Sequence, residues 1–266
     1  PEGEWRYGYD TYPRGPRVKE ILDEHQPDVV VMQGPLGKAR WTGTESGATW
    51  YPSWSTIEDG MAERRVPTES ERYHLLGHGV PGEKSWMPGE CCTTLRYPHE
   101  WFWKPEGQRL KSVEHLVGLY YRSVGRNSNL LLNAAPDKDG LIPDEDMAVY
   151  EGLGRELQRR FSNCVGETSG QGKEVELRFD EPRLFDHVVI MEDIAQGERV
   201  REYVVEAYVD GLFGDWDWFE LCRGSCIGHK RIHLVAPFES KAIRVRVKEA
   251  VGEARIRSFA LYHANR

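Results

Sequence analysis

The chain has 266 residues, 39% of them hydrophobic and 11% aromatic with nine Trp, a composition far from that of disordered chains and sufficient for two modest domains. Its 35 basic and 43 acidic residues give a formal net charge of -8 at pH 7, and no dense Lys/Arg run occurs, so neither nucleic acid nor an anionic membrane is expected as a partner. No stretch has the apolar length of a membrane span. Pro1-Glu2-Gly3-Glu4-Trp5 has neither an initiator Met nor the features of a signal peptide, and reads as the start of a processed or excised piece.

Arg17 to His25 sets Val18, Ile21 and Leu22 on one face and stops before Pro27, which predicts a short helix. Asp28-Val29-Val30-Val31-Met32-Gln33 is a continuous apolar, β-branched run, the pattern of a strand buried on both faces, and Gly34-Pro35 then turns the chain. Val66 to Lys84 reads as a polar, Gly-containing loop before strand-like segments at Ser85-Trp86-Met87 and near Glu90. Ser112 to Ser123 places Val113, Leu116, Val117, Tyr120 and Tyr121 at helical spacing. Asn129-Leu130-Leu131-Leu132-Asn133 is a second predicted buried strand, and Asp144 to Phe161 a helix with Met147, Tyr150, Leu153 and Leu157 inward. The alternation predicts consecutive βα units of a parallel sheet or barrel, too few for all eight strands.

After about Asn163 the period becomes two. Glu174-Val175-Glu176-Leu177-Arg178-Phe179, Tyr203-Val204-Val205-Glu206-Ala207-Tyr208, Ala242-Ile243-Arg244-Val245-Arg246-Val247 and Arg255-Ile256-Arg257-Ser258-Phe259-Ala260-Leu261 predict antiparallel strands, in the manner of a sandwich, with the boundary near residues 162 to 172. Five Cys leave at least one unpaired. Adjacent Cys91 and Cys92 are poorly placed to bridge, whereas Cys222 and Cys226 are spaced to close a small loop. Beyond His229 and His233 no His stands at metal-ligand spacing near them, and no metal is expected.

Arg40-Trp41-Thr42-Gly43-Thr44-Glu45-Ser46-Gly47 follows the first predicted strand and its turn. In a βα unit this puts Glu45 on a loop beyond a strand's C-terminal end, where such folds build their sites. Trp41, Trp50, Tyr51 and Trp54 surround it in sequence, and a carboxyl among rings suits glycoside hydrolysis, since apolar neighbours favour the protonated acid and rings stack on sugars. A Glu in a Gly-rich loop is also a common solvated turn residue.

Taken together, that segment, Trp86-Met87-Pro88-Gly89-Glu90-Cys91, Trp101-Phe102-Trp103, and the run from Tyr120 through Asn127-Ser128-Asn129-Leu130-Leu131-Leu132-Asn133-Ala134-Ala135-Pro136-Asp137 to Ile142 resemble, in this order, the α-L-fucosidases of glycoside hydrolase family 29. The resemblance covers about residues 17 to 161 and looks like the subgroup acting on α-1,3/1,4-linked fucose. It implies a retaining double displacement, in which an Asp attacks the anomeric carbon while a Glu protonates the departing oxygen and later deprotonates water. Glu45 matches the acid/base position. The family's nucleophile stands a few dozen residues earlier in a Trp-Phe-Asp-Gly-like context that this chain lacks. Asp10 follows no buried strand, so the nucleophile is expected upstream of Pro1, on an N-terminal segment or chain completing the barrel.

The same resemblance suggests sugar contacts at Trp41, Trp54, Glu90, Trp101, Trp103 and Asn133. Glu90 alternatively forms a structural pair with an Arg, Asn133 alternatively caps the turn at Pro136-Asp137, and only one of Trp101 and Trp103 faces the site if they lie in extended chain. Where the family commonly has Glu-Cys-Asp, this chain has Glu90-Cys91-Cys92, a thiol replacing an acid. Arg126 is expected to anchor a loop, and His25, His74, His78 and His115 to be surface or structural. Through Gly211-Leu212-Phe213 and Gly224 to Ile232 the second half resembles the galactose-binding-like sandwich that trails this barrel, with Trp216 and Trp218 offering either a sugar platform or sheet packing. The implied fold class is α/β plus all-β, with the C-terminal portion of a (β/α)8-type barrel over 1–163 and a carbohydrate-binding-module-like antiparallel β-sandwich over 164–266. The implied partner is a fucosylated oligosaccharide or glycoconjugate in a secreted, periplasmic or lysosomal setting, and no cofactor is expected. The competing reading is a non-catalytic carbohydrate-binding or structural protein with a remnant half-barrel.

Overall fold

Two kinds of sheet organise the computed structural model, which describes residues 15–32, 37–58, 69–210 and 216–264. The first part runs α1 (Gly15–His25), β1 (Arg40–Trp41), β2 (Thr56–Ile57), α2 (Glu69–His78), β3 (Ser85–Trp86), β4 (Gly89–Thr94), β5 (Arg96–Tyr97), β6 (Arg109–Leu110), α3 (Val113–Arg122), β7 (Ser128–Asn133) and α4 (Asp144–Phe161). Strands β1, β4 and β7 form a parallel sheet in that order, and β2–β3 and β5–β6 are short antiparallel pairs. The second part is a six-stranded antiparallel sheet of β8 (Cys164–Gln171), β9 (Glu174–Glu192), β10 (Val200–Asp210), β11 (Trp216–Gly224), β12 (Arg231–Ala250) and β13 (Arg255–Tyr262), in the order β11-β10-β12-β9-β13-β8.

Helix α3 starts where the Ser112 hydroxyl accepts the His115 amide (3.2 Å), carries Glu114 in its first turn and Arg122 in its last, and buries Leu116, Val117 and Leu119. Helix α4 places Asp144, Glu145 and Asp146 in its first turn and Arg159 and Arg160 in its last. Asp146, fully buried, ties this helix to β5 by accepting both Nε and Nη2 of Arg96, so the charge at the helix start also anchors a strand. Leu130 and Leu132 of β7 pack with Leu116, Leu119 and Leu153 on one side of the parallel sheet. The other side carries no helix among the described residues. Paired positions of a parallel sheet share a face, so Trp41, Glu90 and Asn129 form one row there, with Cys92 and Leu131, then Thr94 and Asn133, beyond it.

This one-sided cover corrects two expectations of doubly buried strands. Leu131 is 42% exposed because it points away from α3 and α4. Among the described residues the only sheet pairing of Val29 to Met32 is the bridge from Met32 to Ala39, Val30 is 65% exposed, and Gln33 lies outside the described residues. A β-branched run is buried only where neighbouring strands and helices meet it. Two further corrections concern helices. Part of the expected loop, Glu69–His78, is helical, while 59–68 lie outside the described residues. Met147 faces solvent, since Val149, Tyr150 and Leu153 supply the face of α4 that meets the core.

In the antiparallel part the alternation expected from sequence is realised: Val188 and Ile190, Tyr203 and Val205, Ile243 and Val245, and Phe259 and Leu261 share one core. All five cysteines are free, so Cys222 and Cys226 do not pair; the buried Cys226 thiol donates instead to the Ser53 carbonyl (3.2 Å). Trp218 packs under Arg244 (3.9 Å) and against Tyr208, in line with sheet packing. Gly211-Leu212-Phe213 and the Trp216 side chain lie outside the described residues.

A polar joint connects the two parts. The Glu198 carboxylate accepts the Ser55 amide and hydroxyl (2.9 and 2.8 Å) and the Asn127 side-chain amide (2.5 Å), while the Asn127 oxygen accepts the His229 amide (2.7 Å). Asn127 is the one described non-glycine residue with positive φ (61°), which turns its side chain into this joint. Arg40, fully buried, donates from Nε to Leu76 O (2.8 Å) and from Nη2 to Trp54 O (2.6 Å), and burial lowers its pKa to about 10.

Candidate active site

Strand β1 ends at Trp41, and the next residues make a tight turn. Thr44 Oγ1 accepts the Ser46 amide (3.1 Å), and the Gly47 amide donates to Cys92 O (3.0 Å). Gly47 has φ +75°, and a Cβ there would lie 2.8 Å from Thr93 Cγ2, so only glycine closes the turn against β4 without displacement. The turn projects Glu45 over the helix-free face.

There the carboxylate is held on one oxygen. Glu45 Oε2 lies 2.8 Å from His99 Nε2 and accepts the Trp101 indole N–H at 3.2 Å. The His99 and Trp101 rings meet edge to face (86°) with centroids 5.3 Å apart, and His99 Nδ1 lies 3.5 Å from Thr94 Oγ1. Asn133, at the end of β7, donates to the Trp101 carbonyl (3.0 Å). Ends of β4 and β7 thus fix the two groups that fix Glu45. Glu45 Oε1 has no hydrogen-bond partner among the described residues, and the side chain is 47% exposed, more open than the ring-enclosed carboxyl expected from sequence.

Glu90 accepts Asn129 Nδ2 (2.6 Å), so its row neighbour on β7 supplies the donor that the alternative reading of Glu90 gave to an Arg. The Cys92 thiol stands where the family commonly has an acid. Burial raises its pKa, the Trp41 indole opposes the rise, and the nearby Glu45 and Glu90 charges add to it. Trp41, Glu45, Glu90 and Cys92 therefore share one electrostatic neighbourhood at the row where β1 meets β4.

Not every ring expected near Glu45 reaches it. Trp54 is 5% exposed, with Arg201 of β10 over its ring at 4.7 Å, so it belongs to the joint rather than to this face. The Tyr51 hydroxyl bonds the Ser225 and Cys226 backbone (2.9 to 3.1 Å), and Trp50 packs on His78. Trp103 is half-buried but makes no hydrogen bond or ring contact within the described residues; Trp101 is the member of the pair that meets Glu45. Asp10 lies outside the described residues. Arg126 anchors a loop by donating to Thr49 O (3.1 Å), and His78 and His115 bond Pro52 O and the Tyr97 hydroxyl.

His99 escaped the reading of the sequence. Its signal was faint: a histidine just past a strand end, two residues before a Trp already singled out. Geometrically the face offers an oriented carboxyl with one free oxygen, an imidazole within proton-transfer distance of it, and indole edges beside both. Among the described residues no group of three or more His, Cys, Asp or Glu side chains is arranged to hold a metal ion, and no helix is long and apolar enough to cross a membrane.

Comparison with known proteins places the chain in a family. The α-L-fucosidase 1 of Arabidopsis thaliana is 25% identical over 98% of this chain and 55% of its own length, and a candidate α-L-fucosidase 1 of Oryza sativa subsp. japonica is 26% identical over 91% and 51%. The chain thus spans about half the length of the curated relatives it matches. A crystal structure of a candidate α-L-fucosidase from Bacteroides thetaiotaomicron superposes with a TM-score of 0.82 at 34% identity, covering 95% of this chain and 57% of that one. The model of the family described as Alpha-L-fucosidase matches residues 4–160, which contain β1, β4, β7 and the Glu45 turn, and the chain belongs to that family.

Proposed function

We propose that this chain supplies the acid/base side of a retaining α-L-fucosidase active site, with Glu45 protonating the oxygen that leaves a terminal fucose and then deprotonating the water that releases the sugar. The observation that carries the reading is the seating of Glu45: one carboxyl oxygen is fixed by His99 and Trp101 and the other is open above a helix-free sheet face. A proton donor must be oriented yet reachable, and this arrangement meets both needs. The nucleophilic Asp is assigned to an N-terminal segment or chain that completes the barrel. Trp41, Glu90, Trp101, Trp103 and Asn133 are assigned to the sugar site, Asn133 through its hold on Trp101. Trp54 is assigned to the joint.

In this reading 1–163 is the C-terminal part of the barrel and 164–266 a galactose-binding-like sandwich that braces it; the onset of β8 at Cys164 and the Glu198–Asn127–Ser55 joint support the division. The substrate is a glycan with terminal α-1,3/1,4-linked fucose, met in a secreted, periplasmic or lysosomal setting. Exchange between two carboxyl groups requires no cofactor.

The test is turnover of aryl and natural α-L-fucosides by Glu45→Gln and Glu45→Ala beside the parent protein, each complete with the N-terminal segment or chain that carries the nucleophile. Loss of about 10²- to 10⁴-fold is expected on natural substrates, less on aryl fucosides with good leaving groups, and azide is expected to restore part of the Glu45→Ala rate. Equal losses on both substrate types would remove Glu45 from the role. The half-open carboxyl favours one second reading, a site that grips fucose without cleaving it; fucose binding without turnover in the parent protein would establish that instead.

A further inference from the structure

On the far side of α3 and α4 from Glu45, where these helices meet the antiparallel sheet, lies a cleft of about 500 Å³. Aromatic rings form one part of its wall: the Phe161 ring of α4 lies 6.1 Å from Tyr120 of α3 and 5.5 Å from Tyr262 of β13. Leu157, Val189, Met191 and Ile232 add apolar surface, and Glu167, Lys230, Arg257 and Ser258 supply the polar side chains. Ser258 Oγ donates to Glu167 Oε1 (2.6 Å), and Arg257 donates only to the Met191 thioether (3.4 Å). The Lys230 ammonium has no hydrogen bond or ion pair among the described residues, its carbonyl alone accepting the Asn127 amide (3.0 Å). Burial first, and then the nearby Arg257 charge, lowers the Lys230 pKa; burial first, and then the Arg257 and Lys230 charges, lowers that of the adjacent His229.

Several cations elsewhere in the sheet are paired instead. Arg244 and Arg246 both close on Glu206, and Arg223 closes on Glu220. In a chain of net charge -8, Lys230 and Arg257 share the cleft with one carboxylate, Glu167, which is bonded to Ser258 and paired with neither cation among the described residues, so two cations remain whose complement is an anion. Clefts of roughly 300 to 1,000 Å³ hold small organic ligands. Rings opposite charges add a requirement for an apolar face, and Ser258 with Glu167 offers one acceptor and one hydroxyl to polar substituents.

We infer that the cleft between α4 and β13 binds a carboxylated sugar, a uronic acid residue, with its carboxylate between Lys230 and Arg257, its ring face on Phe161 and Tyr262, and a hydroxyl on Glu167 and Ser258. A guanidinium takes a carboxylate through two parallel N–H donors, and an ammonium supplies a second point charge. The site is separate from Glu45 and does not depend on catalysis there.

The experiment is calorimetric titration of the full chain with glucuronate, glucose and acetate. Glucuronate is expected to bind about tenfold or more tightly than either control, with affinity falling as salt rises. Lys230→Gln and Arg257→Gln are each expected to weaken it about tenfold with thermal melting unchanged; Arg257 is exposed, so this variant keeps the test open should the other fail to fold. Glucose binding as tightly as glucuronate, or variants that bind like the parent, overturns the proposal. Acetate binding as tightly as glucuronate overturns its sugar component, and no glucuronate binding by the folded parent overturns it entirely.

Discussion

Two glutamates in this chain have opposite surroundings. Glu198 is buried, its oxygens accept the Ser55 amide, the Ser55 hydroxyl and the Asn127 amide, and burial still raises its pKa above that of an ordinary carboxyl. Glu45 takes both its contacts on one oxygen and leaves the other open. The first is saturated by the protein, as a group must be when its task is to hold two sheets together. The second has unused capacity, which is what a reacting group needs. Polar saturation, more than burial or charge, separates brace from site.

That contrast is broken most severely at Asn127, whose backbone is left-handed and whose side chain serves Ser53, Glu198 and His229 together. Asn127→Ala leaves a buried carboxylate short of a donor and strains the backbone, so a loss of about 4 kcal/mol is expected in urea unfolding. Asn127→Gly retains the loss of hydrogen bonds but relieves the backbone, and should recover about 1 kcal/mol of it. A variant within 1 kcal/mol of the parent would show that the joint is not a determinant of stability.

Glu192, beside the same joint, allows a subtler test. It is buried, Oε1 accepts the Arg199 and Val200 amides, and Oε2 has no partner. Burial raises its pKa from 4.5 to about 7, against the backbone donors and with the Glu198 charge adding to the rise. The folded state thus favours the neutral acid. Its contribution to stability is complete below pH 4.5 and is lost as pH rises to about 7, a change of about 3 kcal/mol. Glu192→Gln keeps the accepting oxygen and removes the titration, so its stability should gain on the parent by that amount over the same window. Parallel pH profiles for the two proteins would place the Glu192 titration outside the folding equilibrium.

The same division accounts for what was legible in the sequence. Helices α3 and α4 were legible through the spacing of their apolar residues, and the antiparallel strands through alternation, because these are local signals. Val30 and Leu131 were misjudged because burial depends on what the rest of the fold lays over a strand. Helix α2 lacks a continuous apolar stripe, with Glu69, Ser70, Glu71, Arg72 and two His among its ten residues, and the reading as a loop followed from that polarity. At the candidate site, Glu45 was singled out from its motif, whereas Trp54, only nine residues on, packs under Arg201 at the joint. His99, 54 residues from Glu45, had no pattern to link them. Side-chain meetings across strand ends are set by register, and register is a property of the assembled sheet.

The smallest effect comes from the finest distinction, between two tryptophans two residues apart. Trp101 gives its indole N–H to Glu45 and its carbonyl to Asn133, while Trp103 makes no such contact among the described residues. Phenylalanine retains an aromatic ring and removes the N–H. Trp101→Phe should therefore lower kcat on natural fucosides about tenfold, an effect of about 1.4 kcal/mol, because the carboxyl loses one of the two groups that aim it. Trp103→Phe should leave kcat within about twofold and, if its ring lies on the sugar, change KM instead. Equal kcat losses in the two variants would mean that ring bulk, and not the indole donor, shapes the site, and the hydrogen bond to Glu45 would lose its place in the mechanism.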